Sequence, residues 1–155
     1  MSALLSIVED DLSGAQIRAL LEEHFAGMLA NSPEGSCHFL DFEGLKAPGV
    51  TFWSIWEGDA LAGMGALLQH DDALGEIKSM RTAEGFQRRG VAAKMLSHII
   101  AEARARGLSR LSLETGRGPA FEAAGALYER FGFVDCEPFA DYQPDPFSRF
   151  MTLAL

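Results

Sequence analysis

The stretch "GFQRRGVAAKMLSHIIAEARARG", residues 85–107, decides how the chain is read. Val91, Met95, Ile99 and Ala103 recur along it at the spacing of one helical face. Gly107 then stops the pattern, as glycine commonly does just past a helix end. Upstream, "ALGEIKSMRT" (73–82) alternates as a strand does, and downstream "LSRLSLE" (108–114) reads as another. A turn carrying Arg88, Arg89 and two glycines therefore joins a strand to a helix running from about Arg88 to Arg106.

The setting makes those arginines informative. The chain has 155 residues, the size of one domain, and residues 1–155 are read as a single unit. Its formal net charge is −9, which argues against nucleic acid or an anionic membrane as the main partner. At 48% hydrophobic and 23% charged it has a globular composition, and no apolar run approaches the roughly 20 residues of a spanning helix. The start, "MSALLSIVEDDLSG", lacks a basic leader region. The two cysteines, Cys37 and Cys136, have no metal or redox spacing and read as reduced thiols of a cytoplasmic protein.

Working outward, "LLSIV" (4–8) is a strand, and Ser13 with Gln16 forms a capping box for a helix bearing Ile17, Leu21, Phe25 and Met28. Residues 31–49 leave room for one short helix. "VTFWSIWEGDALAGMGALLQ" (50–69) is a hairpin turning at Glu-Gly-Asp. A helix opens at Pro119, carries Phe121, Ala124, Tyr128 and Phe131, and stops at Gly132. "FVDCEP" and "SRFMTLAL" close the chain. The resulting order is β-α-α-β-β-β-α-β-α-β-β. It implies an α/β (α+β) mixed sheet of about seven strands with helices on its faces.

A glycine turn between strand and helix is a natural anion site, because the first helical amides have no internal partner. Gly85 and Gly90 match the beginning of a P-loop, but Val91 and Ala92 stand where its Lys and Ser/Thr belong. A dinucleotide fingerprint is absent as well. Gln87-Arg88-Arg89-Gly90-Val91-Ala92 does match Q/R-x-x-G-x-G/A, and "AFEAAGALYERFGF" (120–133) matches A-x-x-LY-x-x-x-GF at the expected distance. On these residues the chain resembles the GCN5-related N-acetyltransferases, and the resemblance covers residues 50–137.

The resemblance implies a mostly antiparallel sheet of this topology and transfer of acetyl from acetyl-CoA to an amine. In that family the main chain of the strand before the turn holds the pantetheine arm, and Met80, Arg81 and Thr82 occupy those positions. Amides of residues 88–92 would hold the pyrophosphate, with Gln87 among the cofactor-binding residues of the motif and Arg88, Arg89 and Lys94 adding charge. Gly90 would let the main chain approach closely.

The transfer needs a neutral amine, a polarised carbonyl and a reprotonated thiolate. Glu76, four residues before Met80, stands at the family's offset for a catalytic base, with Glu114 and His70 as rivals. Tyr128 stands at the family's tyrosine position, and its phenol can supply a proton to the thiolate. The pattern departs at Phe121, where the family often has asparagine, and in "TGRGP" (115–119), where Arg117 could reach substrate or cofactor.

The acceptor is expected to be a small-molecule amine. The acidic "EPFADYQPDP" (137–146) suits a cation, whereas Lys78 and Arg81 suit a carboxylate. Trp53 and Trp56, an odd number apart, face opposite sides of the sheet, as packing residues or as part of the acceptor pocket. No metal is implied, and a homodimer through the closing strands is expected by analogy. A non-catalytic acyl-CoA sensor is the alternative function, and a nucleic-acid module using the Arg-Arg turn is disfavoured by the charge.

Overall fold

A computed structural model of the chain describes residues 4–33 and 39–155; Cys37 lies outside the described residues. The strands are β1 (Leu5–Glu9), β2 (Val50–Glu57), β3 (Ala60–Gln69), β4 (Leu74–Thr82), β5 (Arg110–Gly116), β6 (Val134–Asp135) and β7 (Ser148–Ala154). The α-helices are α1 (Ala15–Asn31), α2 (Phe42–Leu45), α3 (Val91–Ala105) and α4 (Glu122–Arg130), with a 3-10 turn at Pro119–Phe121 leading into α4. This is the order read from the sequence. All seven strands form one sheet, ordered β1-β2-β3-β4-β5-β7-β6. Every pairing is antiparallel except β4 with β5.

Strand alternation assigns the two faces. Trp53, Ile55, Leu67, Ile77, Leu111 and Leu113 pack with the buried stripe of α3 and with Leu127 and Tyr128 of α4. Phe52, Met64 and Ala66 pack on the opposite side with Ile17, Leu20 and Leu21 of α1 and Leu45 of α2. The two tryptophans divide accordingly. Trp53 lies in the α3 core, while Trp56 packs against the α1 cluster. Both are packing residues.

Three local readings need correction. The capping box at Ser13 does not form: Gly14 is the N-cap, and the Ser13 hydroxyl donates to Asp11 Oδ1 at 2.6 Å. Gln16 is drawn away by a tertiary partner. Its side chain donates to the Asp59 carbonyl (2.9 Å) and accepts from Leu61 N (3.0 Å), tying α1 to the β2–β3 turn. Helix α3 begins at Val91, not near Arg88, because Arg88 and Gly90 hold φ of +62° and +78°, which a right-handed helix excludes. Strand β5 continues past Glu114 to Gly116, and Thr115 and Gly116 pair with Arg149 and Ser148 of β7.

Close approach of α3 to the sheet depends on two missing side chains. A Cβ on Gly63 would lie 2.8 Å from Val91 Cγ1 and 2.9 Å from the Arg81 carbonyl oxygen. One on Gly65 would lie 2.8 Å from both Met80 Sδ and Met95 Cγ. Gly63→Ala should therefore lower stability by about 1–3 kcal/mol through overpacking. Urea denaturation measures this, and an unchanged midpoint would contradict the tight α3–β3 contact.

Candidate active site

The parallel pair β4–β5 is joined over only three register positions, Leu74↔Arg110, Gly75↔Leu111 and Glu76↔Ser112. Beyond Glu76 the two strands separate, while β4 continues to Thr82 and β5 to Gly116. A wedge opens between them. Lys78, Ser79 and Met80 line one wall and Leu113, Glu114 and Thr115 the other, with His24 and Met28 of α1, Phe39, and Tyr128 of α4 completing it.

A bulge shapes the β4 wall. Met64 pairs with Arg81 but Ala66 pairs with Lys78, so β4 carries one residue more than β3 across this interval. The extra residue is taken up where Ser79 adopts φ +56° opposite Gly65. Such a bulge bends a strand and redirects its main-chain groups. Met80 and Arg81 sit at this distortion, and Thr82 pairs with Gly63 just past it.

At the far end of β4 lies the glycine turn. Its conformation rests on left-handed residues at Gly85, Arg88 and Gly90 and on Gln87, whose side-chain oxygen accepts from Gly85 N at 2.9 Å. Among the described residues, none of the main-chain amides of residues 87–93 donates to a main-chain carbonyl; the ladder begins with Lys94 N to the Gly90 carbonyl at 3.0 Å. Residues 87–90 are exposed. These amides and the positive end of the α3 dipole form an open anion cradle. Nothing lies within 4 Å of a Cβ built on Gly90, so within the protein its φ is the reason for glycine.

The basic side chains differ. Arg89 pairs with Glu57 and lies over the Phe86 ring, 4.9 Å from its centroid. Lys94 donates to the Leu5 carbonyl at 2.8 Å. Arg88 is exposed beside the free amides.

Comparison with known proteins agrees with this architecture. The profile of the Acetyltransferase (GNAT) family matches residues 14–133. The chain belongs to that family. It is 53% identical over 152 residues to the uncharacterized N-acetyltransferase YedL of Escherichia coli, covering 98% of this chain and 96% of that one. It is 56% identical over 146 residues to the uncharacterized N-acetyltransferase YsnE of Bacillus subtilis, covering 94% and 97%. A Klebsiella pneumoniae structure described as an acyl-CoA N-acyltransferase superposes with a TM-score of 0.80 at 28% identity, covering 99% of both chains. The chain is thus an N-acetyltransferase.

As a GNAT acetyltransferase it treats the family's catalytic positions in its own way. Glu76, on β4, is 1% exposed and is not among the residues lining the wedge. Its carboxylate accepts from the Tyr142 hydroxyl (2.6 Å) and from Lys78 Nζ (3.1 Å), and His70 Nε2 lies 2.9 Å from Oε1. Lys78 Nζ also donates to the Tyr142 hydroxyl at 2.8 Å. Burial and the Glu76 charge push the Tyr142 phenol far above its ordinary pKa, so it is a fixed donor. His70, the rival base, is a quarter exposed and turned onto this carboxylate.

Tyr128 lines the wedge, and burial pushes its phenol up to about 12. Its ring meets Phe133 edge-on at 5.7 Å. Glu114 lines the opposite wall. Arg81 turns away toward α1 and pairs with Glu23 at 3.0 Å. The asparagine position holds Phe121 for a packing reason. Its ring abuts Phe147 at 5.6 Å and sits where a Cβ on Gly116 would be only 2.7 Å away. Arg117 is exposed. In segment 137–146, Glu137 and Asp141 face solvent, whereas Tyr142 reaches inward.

Four polar residues of this region were missed or misread in the sequence. Tyr142 was hidden in an acidic segment, and Lys78 was read as suiting a carboxylate on the acceptor, whereas its ammonium is held by Glu76. Ser79 was read as an ordinary strand residue with no sign of a bulge, although Gly65 in a strand interior hints at one opposite. His24 sits within an apolar helical stripe, where burial and the Arg81 charge hold its imidazole at about 4, hence neutral at pH 7.

Glu76→Gln should leave the nearly buried Lys78 ammonium facing a neutral amide. A stability loss of about 3 kcal/mol is expected, the lower end for breaking a buried pair from one side. Chemical denaturation at pH 7 measures it, and a loss below about 1 kcal/mol would contradict the network as described.

Proposed function

We propose that the protein transfers acetyl from acetyl-CoA to a primary amine of a small molecule by direct attack in a ternary complex. The observation carrying this reading is the row of unpaired amides at residues 87–93 beside the wedge. A diphosphate requires several convergent N–H donors, and this turn has them without a competing protein acceptor. Arg88 is the cation with the most open access to that ligand; Arg89 and Lys94 contribute from positions already tied to Glu57 and Leu5.

When bound, the cofactor supplies an acetyl thioester. The main chain of Met80, Arg81 and Thr82, on the strand edge that β5 leaves unpaired, is suited to bond the pantetheine amides and the thioester oxygen. An alkylammonium acceptor, with a pKa near 10, must first lose a proton. Glu76 holds the family offset for this role, yet its lone pairs are already engaged by Tyr142, Lys78 and His70. We read Glu114 as the carboxylate that takes the proton, directly or through water, because it lines the wedge itself. Glu76 then acts through Lys78, fixing it in the β4 wall.

Tyr128 is read as the donor to the departing sulfur. With its pKa raised, full transfer from the phenol to a thiolate near 8.5 runs uphill, so its part is a hydrogen bond, with the amine's own proton completing the thiol. Among the described residues no group of three or more His, Cys, Asp or Glu side chains is placed to hold a metal ion. No helix of the described residues is long and apolar enough to cross a membrane.

A thiol-release assay with acetyl-CoA and a panel of amines tests the reading. Amine-dependent release of CoA is expected. Glu114→Gln should cut kcat by about 100-fold or more, as for loss of a general base. Gly90→Ala should raise KM for acetyl-CoA by about tenfold or more, since the cradle depends on its φ. Binding of acetyl-CoA without turnover by any amine would favour the acyl-CoA sensor instead; no binding at all would refute both.

A further inference from the structure

Two polar side chains that line the wedge, one on α1 and one on β4, each carry a buried atom without a partner. His24, on α1, is 7% exposed, and its buried Nδ1 makes no hydrogen bond. Ser79, at the β4 bulge, has a buried hydroxyl that makes none either. Both line the wedge. Buried polar groups are nearly always paired, so two orphans around one cavity call for a ligand that completes them. The backbone adds a second oddity, because Ser79 is held at φ +56°, a conformation that a non-glycine residue adopts only under constraint.

The charges around the pair restrict what that ligand is. His24 is neutral at pH 7 for two physical reasons, its burial and the nearby Arg81 guanidinium. The serine hydroxyl is also neutral. The two cations in reach already have their charges matched by carboxylates: Lys78 by Glu76, and Arg81 by Glu23 through one terminal nitrogen, although the buried Arg81 Nε has no partner. A further anion would compete with those partners, and a second cation on the ligand would face two positive charges. A hydroxyl or carboxamide both donates and accepts, which is what an imidazole nitrogen and a hydroxyl together can satisfy. Met28 and Phe39, beside His24, are apolar.

We propose that His24 and Ser79 form the acceptor-recognition pair of the wedge, taking a neutral hydrogen-bonding group, a hydroxyl or a carboxamide, carried beside the amine of an otherwise apolar acceptor. This rests on the amine-acceptor reading above and adds the class of acceptor. The two side chains are positioning residues: they orient the acceptor, while Glu114 takes its proton and Tyr128 bonds the departing sulfur. A site built to bond a polar group discriminates strongly against an analogue lacking it, because its own buried groups are then left unpaired.

The test is calorimetric binding to the CoA-loaded protein at pH 7, with five matched probes: phenethylamine, phenylalaninol, phenylalaninamide, phenylalanine and 3-phenylpropane-1,2-diamine. The alcohol and the carboxamide should bind at least about tenfold more tightly than phenethylamine, and the carboxylate and the diamine should not. In His24→Ala that advantage should fall to within about threefold, with CoA affinity unchanged, and His24→Asn, whose amide reaches near the Nδ1 position, should keep most of it. Ser79→Gly removes the hydroxyl while relaxing the backbone at φ +56°, so it supplies a well-folded second variant in which the advantage should also shrink. Tightest binding by the carboxylate or the diamine would overturn the proposal. So would an advantage that persists in both His24→Ala and Ser79→Gly. Since the readout is binding, a protein that binds these probes yet releases no CoA from acetyl-CoA would refute the catalytic reading and leave the recognition result standing.

Discussion

Hydrogen-bonding groups of the main chain that the fold leaves without a protein partner govern this molecule. A parallel strand pair normally continues its ladder for the length of both strands. Here β4 and β5 part after Glu76↔Ser112, and from that point each strand has an edge open to the wedge. The same withdrawal is repeated at the end of β4, where left-handed residues at Arg88 and Gly90 postpone the start of α3 and leave its first amides unmatched. Where such groups are buried they are costly unless something bonds them, and at the exposed turn they are open to a ligand. In the reading proposed here, acetyl-CoA, with its pantetheine amides and its diphosphate, would meet both places at once.

The sheet around the wedge is arranged to keep it open. Packing of α3 against the glycines of β3 fixes one side, and α1 with α2 fixes the other. The opening is guarded against collapse at its root by charge. Glu76, Lys78, Tyr142 and His70 form a connected, partly buried network at the point of divergence, with Tyr142 reaching it from segment 137–146. Buried ion pairs add little net stability, but removing one partner is severe, so such a network specifies geometry more than it contributes energy. Glu76 is held at the root of the wall by these contacts, while Glu114 lines the cavity itself.

Most of the fold was legible because its signals are local and repetitive. The stripe of Val91, Met95, Ile99 and Ala103 identified α3, and the Glu57-Gly58-Asp59 turn identified the β2–β3 hairpin. Gly107 and Gly132 marked two helix ends, each at positive φ. The glycine turn was found because its residues are consecutive. What escaped was decided by contacts distant in sequence. Gln16 abandoned its capping role for partners more than forty residues away. Tyr142 meets Glu76 across 66 residues. The neutrality of His24 depends on Arg81 and on burial, neither of which a helical stripe reveals. The bulge at Ser79 follows from register with β3, a property of two strands that cannot be read from either alone.

The account stands or falls on whether the amides at the head of α3 meet the cofactor. Backbone amide NMR of the protein, titrated with CoA at pH 7, addresses this residue by residue. Saturable shifts centred on Gln87 to Ala93 and continuing along Met80 to Thr82 are the expected result. Saturable binding that leaves the Gln87–Ala93 amides unmoved would contradict it.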